Sequence, residues 1–119
     1  MDYESLATLG TFLGSGGITV LDEDTDMVRA IFNLMKFYHH ESCGQCTPCR
    51  EGTGWLEKIV HRIHKNHGSM QDLNLIADVC NNMRGRTICP LADAAVMPML
   101  SYLNEFRKEF EARVSAGNN

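Results

Sequence analysis

Three cysteines fall within seven residues, Cys43-Gly44-Gln45-Cys46-Thr47-Pro48-Cys49, and a fourth, Cys89, lies 40 residues beyond the last of them. A C-x2-C-x2-C run wraps one face of a cubane while a remote fourth thiolate closes it, the ligation logic of a [4Fe–4S] cluster. A structural zinc site favours two separate C-x2-C knuckles, and a third ligand after only two residues is awkward for one tetrahedral ion. A thiol–disulfide pair belongs in a βαβ setting, which the helical pattern described below lacks. The spacing therefore points to Cys43, Cys46, Cys49 and Cys89 as metal ligands, with a zinc-binding interaction module on the same four residues as the alternative. The fifth cysteine, Cys80, sits on an apolar helical stripe and reads as a small core hydrophobe.

An odd number of cysteines, most of them clustered, fits poorly with a secreted disulfide framework and suits a reducing compartment. The chain has 119 residues, 44% of them hydrophobic, enough to fill one core without covalent staples. Its net charge of −4 comes with no Lys/Arg cluster, which argues against nucleic acid or an anionic membrane surface as partner. No run reaches the roughly 18 to 20 apolar residues that span a bilayer, and the acidic start, Met1-Asp2-Tyr3-Glu4, is unlike a signal peptide. The expectation is a cytoplasmic protein, or one peripheral to a membrane-bound complex on its cytoplasmic or matrix side.

Residues 1–24 stand apart. Gly10, Gly14, Gly16 and Gly17 precede the β-branched run Ile18-Thr19-Val20-Leu21, which predicts a turn and one short strand. That strand would have no partner in an otherwise helical chain, so it reads as the edge of a neighbouring domain or as a strap on the bundle. From Asp24 the period becomes helical. Val28, Ile31, Phe32, Met35 and Tyr38 place one helix at about 26–40, and Leu56, Ile59, Val60 and Ile63 place another at about 48–66. Ser69 and Asp72 form a capping-box signature for a third at about 70–84. Pro98 predicts a short turn of helix at 90–96 followed by a longer helix to about 114. The fold expected over 25–114 is all-α, an antiparallel four-helix bundle, with 115–119 as a frayed tail.

The residues around the cysteines carry further expectations. Thr47 as N-cap and Pro48 as first helical residue would put Cys49 in a first turn, and Pro90 would do the same directly after Cys89. Two helix N-termini would then face one site and stabilise an anionic cluster. Gly44 and Gly52 would admit backbone close to cluster sulfurs, and Trp55 and Tyr38 would shield the cysteine loop from water. His39 and His40 end a helix just before the run, where one could tune the site's charge. His61, His64 and His67 read as a solvated face, and the seven methionines as core filler.

The stretch Glu41-Ser42-Cys43-Gly44-Gln45-Cys46-Thr47-Pro48-Cys49-Arg50-Glu51-Gly52-Thr53-Gly54 closely resembles the C-terminal iron–sulfur domain of the NADH-binding flavoprotein subunit of respiratory complex I. Diaphorase subunits of NAD-dependent hydrogenases and formate dehydrogenases are related to it. The likeness extends through Leu13-Gly14-Ser15-Gly16-Gly17-Ile18 upstream and Thr87-Ile88-Cys89 to Phe106-Arg107-Lys108-Glu109-Phe110 downstream. The resemblance implies one [4Fe–4S] cluster on the four matching cysteines in a four-helix bundle. It further implies single electrons taken from FMN, itself reduced by NADH, and passed to clusters of a neighbouring iron–sulfur subunit. Cys89-Pro90-Leu91-Ala92 departs from the Cys-Ala-Leu-Gly typical there. The glycine-rich FMN- and NADH-binding segments of that family have no counterpart in this sequence. The chain thus looks like the electron-relay domain alone, with no catalytic residue of its own, and residues 1–24 resemble the end of a preceding ubiquitin-like domain.

Overall fold

A computed structural model describes residues 2–9 and 11–117. Six helices are formed among them: α1 Tyr3–Thr8, α2 Met27–Glu41, α3 Thr47–His64, α4 Met70–Met83, α5 Leu91–Glu105 and α6 Arg107–Ala116. The starts of α2 and α4 have identifiable causes. The Asp26 carboxylate accepts the Arg29 amide at 3.0 Å to open α2. At α4 Ser69 and Asp72 complete the capping box that their spacing predicts.

Cross-helix contacts fix the topology. His39 and Phe32 of α2 meet Glu57 and His61/His64 of α3 respectively, so the two helices run antiparallel. Arg62 bonds Asp72 while Gly52 abuts Met83, which makes α3 and α4 antiparallel as well. α5 packs against both α4 and α2, closing a ring of four, and α6 packs on the bundle beside them. The apolar stripes meet inside: Val28, Ile31 and Met35 from α2, Leu56, Val60 and Ile63 from α3, Leu73, Ile76 and Cys80 from α4, Val96 and Met99 from α5, and Phe110 from α6 are all fully buried.

Several expectations are corrected. No strand forms among the described residues; 17–20 take no regular structure, with Ile18 and Val20 in solvent. The described residues supply no neighbouring edge, and a lone strand cannot satisfy its own backbone. Thr11, Phe12, Leu13, Gly17 and Thr19 of this segment line an open cleft together with Leu34 and Tyr38 of α2 and Met97, Pro98 and Tyr102 of α5. Pro98 does not divide the helix that holds it. Ala92, Ala95 and Val96 before it and Met99 and Leu103 after it are buried on one continuous face, and that burial outweighs the hydrogen bond the proline cannot make. The break falls at Phe106 instead. The expected tail is helical through Ala116; Asn118 and Asn119 lie outside the described residues.

Candidate metal centre

The antiparallel register decides where the cysteines stand. α2 ends and α3 begins at one end of the bundle, and the contact between Gly52 and Met83 places the close of α4, and with it the 84–90 loop into α5, at that same end. The loop carrying Cys43 and Cys46, the first turn of α3 carrying Cys49, and the loop carrying Cys89 thereby stand at the same end of the bundle. Cys49 is buried, Cys46 half-buried, and Cys43 and Cys89 are exposed. Among the described residues no three His, Cys, Asp or Glu side chains converge closely enough to hold a metal ion.

Local contacts shape the first loop. Gly44 takes a φ of +78°, a left-handed conformation that costs a residue with a Cβ far more, and this turns the chain between Cys43 and Cys46. Arg50 braces the turn from α3: Nη1 donates to the Gly44 carbonyl at 2.7 Å and Nη2 to the Thr47 hydroxyl at 3.4 Å. The Ser42 hydroxyl lies 3.2 Å from the Cys49 sulfur. Cys46, rather than Thr47, is the N-cap, which shifts the helix start by one residue and puts Pro48 at the second helical position and Cys49 at the third. Pro90 is likewise the cap of α5, directly after Cys89. Both helices begin at the cysteine end, so unpaired N–H groups and two positive dipole ends are presented there.

The surrounding residues take roles that differ from those their spacing suggests. A Cβ on Gly52 would sit 2.5 Å from the Met83 sulfur, so this glycine admits a core methionine and not a cluster. The signal was present: position 52 lies four residues before Leu56 on the same buried stripe. Trp55 stands 53% exposed, since it precedes that stripe by one residue and projects away from it, whereas Tyr38 is half-buried. His39 is held by Glu57 at 2.5 Å and its ring lies over Gly54; His40 pairs with Glu41 in solvent. His64 is no solvated residue, for it stacks on Phe32 at 5.7 Å with Nδ1 buried, and burial pulls its pKa down. Cys80 is fully buried on the α4 stripe, and burial pushes its thiol up to about 12, as for a small core hydrophobe.

Residues 29–113 match the family described as the NADH-ubiquinone oxidoreductase-F iron-sulfur binding region. The chain belongs to this family. The F subunit of NADH-quinone oxidoreductase from Rickettsia massiliae (strain Mtu5) is 47% identical over 116 residues, covering 98% of this chain and 28% of the relative. Its counterpart from Rickettsia bellii (strain OSU 85-389) is 46% identical over 114 residues, covering 96% and 27%. A chain in the crystal structure of an NAD+-reducing [NiFe]-hydrogenase in the H2-reduced state superposes with a TM-score of 0.75 at 33% identity, over 79% of this chain and 16% of that one. This member of the iron–sulfur binding region family therefore spans little more than a quarter of the curated relatives it matches. Its matched residues run from the first turn of α2 to the last turn of α6 and include all five cysteines. The family marks the bound group as a [4Fe–4S] cluster, and the chemistry of the donors fits such a group: soft cysteine sulfurs on two loops and the first turn of α3, at one end of a packed bundle. No helix among the described residues is long and apolar enough to cross a membrane.

Proposed function

We propose that Cys43, Cys46, Cys49 and Cys89 ligate one [4Fe–4S] cluster and that the chain acts as a one-electron relay. The observation that supports this reading is that the 42–46 and 84–90 loops stand at the same end of the bundle, so a C-x2-C-x2-C run and a cysteine 40 residues distant share that end. When bound, a cluster of this kind accepts and passes on single electrons; the protein contributes position, burial and hydrogen bonds. Arg50 and Gly44 fix the course of the first loop, and α3 and α5 aim their N-terminal dipoles at an anionic group. The relatives are an NADH-quinone oxidoreductase and an NAD+-reducing hydrogenase, which supports a setting in which electrons come from NADH. In that setting FMN reduced by NADH, held outside this chain, is the donor, and iron–sulfur clusters of a neighbouring subunit are the acceptors. Residues 25–114 would be the cluster-binding unit, and the 1–24 segment the edge of a preceding domain.

The experiment is metal analysis of the chain purified without oxygen. About four irons and four acid-labile sulfides per chain, with visible absorption that bleaches on reduction, is the expected result. One zinc and no sulfide, persisting after iron–sulfur reconstitution, would replace the relay with a structural zinc module on the same residues.

A further inference from the structure

Ser42 caps the C-terminal end of α2, half-buried and one residue before Cys43. Its hydroxyl oxygen lies 3.3 Å from the Gly44 amide nitrogen and 3.2 Å from the Cys49 sulfur. An amide N–H can only donate, so Gly44 takes up a lone pair of the hydroxyl and leaves the hydroxyl proton free to turn toward the sulfur. A ligating cysteine is a thiolate without a proton, so the direction of that bond is then fixed: serine donates and sulfur accepts. Cys49 is buried, which limits competition from water and strengthens the contact.

The other hydroxyls near the cysteines are engaged elsewhere. Thr53 donates to the Cys49 carbonyl at 2.7 Å, Thr87 to the Cys89 carbonyl at 2.9 Å, and Thr47 receives Arg50. Among the described residues Ser42 alone brings a side-chain hydroxyl to the sulfur of one of the four cysteines.

We infer that Ser42 is a positioning residue whose O–H···S hydrogen bond to Cys49 raises the reduction potential of the cluster these cysteines hold. The inference rests on the cluster reading and deepens it. An added electron increases the negative charge on the ligand sulfurs, so a donor aimed at one of them binds the reduced form more tightly than the oxidised form. The same hydroxyl ties the turn at Gly44 to the first turn of α3, so it joins two ligand-bearing segments.

The test is an anaerobic redox titration of the reconstituted 119-residue chain as wild type, Ser42→Ala and Ser42→Thr. Dithionite serves as reductant, with the potential read on the cluster-loaded fraction by absorption and paramagnetic resonance. Ser42→Ala is expected to shift the equilibrium toward the oxidised form about three- to tenfold, tenfold being about 59 mV for one electron. Ser42→Thr, which keeps the hydroxyl, is expected within about twofold of wild type. A wild-type potential in a loaded Ser42→Ala chain overturns the role of Ser42 and leaves the cluster reading standing. A wild-type chain that takes up no iron and sulfide overturns both. Equal shifts in the alanine and threonine variants, despite the retained hydroxyl, would also overturn the inference, because they would reflect altered packing.

Discussion

The two ends of the bundle are held together by different kinds of contact. Where α2 starts and α3 stops, side chains cross between helices. Arg62 of α3 reaches Asp72 of α4, Arg113 of α6 reaches Asp26, Glu109 accepts the Met27 amide at 3.3 Å, and Phe32 stacks on His61 and His64. At the cysteine end the polar contacts are mostly short in sequence: Ser42 to Cys49, Arg50 to Gly44, and the Gly85 amide to Asp93 at 2.9 Å. Among the described residues His39 to Glu57 is the only polar side-chain pair that ties two helices near it, and Cys43, Cys89 and Ile88, the last 90% exposed, face solvent. The far end is knit by side-chain contacts between helices, whereas at the cysteine end the loops hold mostly to their own neighbours.

That contrast can be broken most decisively at Cys89. Cys89→Ser is expected to remove most of the iron from the purified chain while shifting metal-free urea unfolding by no more than about 0.5 kcal/mol, as for an exposed position. Cys80→Ala is expected to keep full iron content, and equal iron loss in the two variants would show that the ligands are wrongly assigned. Phe110→Ala tests the opposite end. Truncating this fully buried ring should cost about 3–5 kcal/mol in urea unfolding, with or without iron bound.

A smaller effect is expected at Arg62. Burial alone would raise the pKa of Asp72, but hydrogen bonds from Arg62 and Ser69 outweigh it and hold the carboxyl below its ordinary value. A depressed carboxylate pKa stabilises the fold above about 3.9, the unfolded value, and that contribution is lost as pH falls toward the folded value. Arg62→Ala should cost about 1–2 kcal/mol at pH 7 and flatten the loss of stability between about pH 5 and pH 3, both read from urea midpoints. An unchanged acid profile would remove this ion pair from the account of the far end.

Much of the fold was legible in the sequence because most of its information is periodic. The apolar spacing of α2 and α3 and the Ser69/Asp72 box of α4 place those helices to within about two residues. Periodicity also separates Cys80, on the α4 stripe, from the cysteines of the loops. The misses have a common source in contacts that lie outside the local pattern. Pro98 is a breaker by local chemistry, yet the buried face on either side of it carries the helix through. Ile18 and Val20 have strand character, but a strand requires an edge that the described residues do not supply. His64 lies next to Ile63 at the border of the stripe, and only the packing of Phe32 against it decides that it is covered. At the site, cysteine spacing names the four expected ligands, while Ser42 and Arg50 come to light only when the backbone turns at Gly44.

We propose that four cysteines at one end of the bundle hold a single one-electron cluster. Spin quantitation by paramagnetic resonance on the dithionite-reduced, anaerobically reconstituted chain tests it most directly. The account predicts about one unpaired spin per chain at about four irons bound, lost together with the iron in Cys89→Ser. A chain that binds zinc, takes up no sulfide and shows no spin after reduction would contradict it.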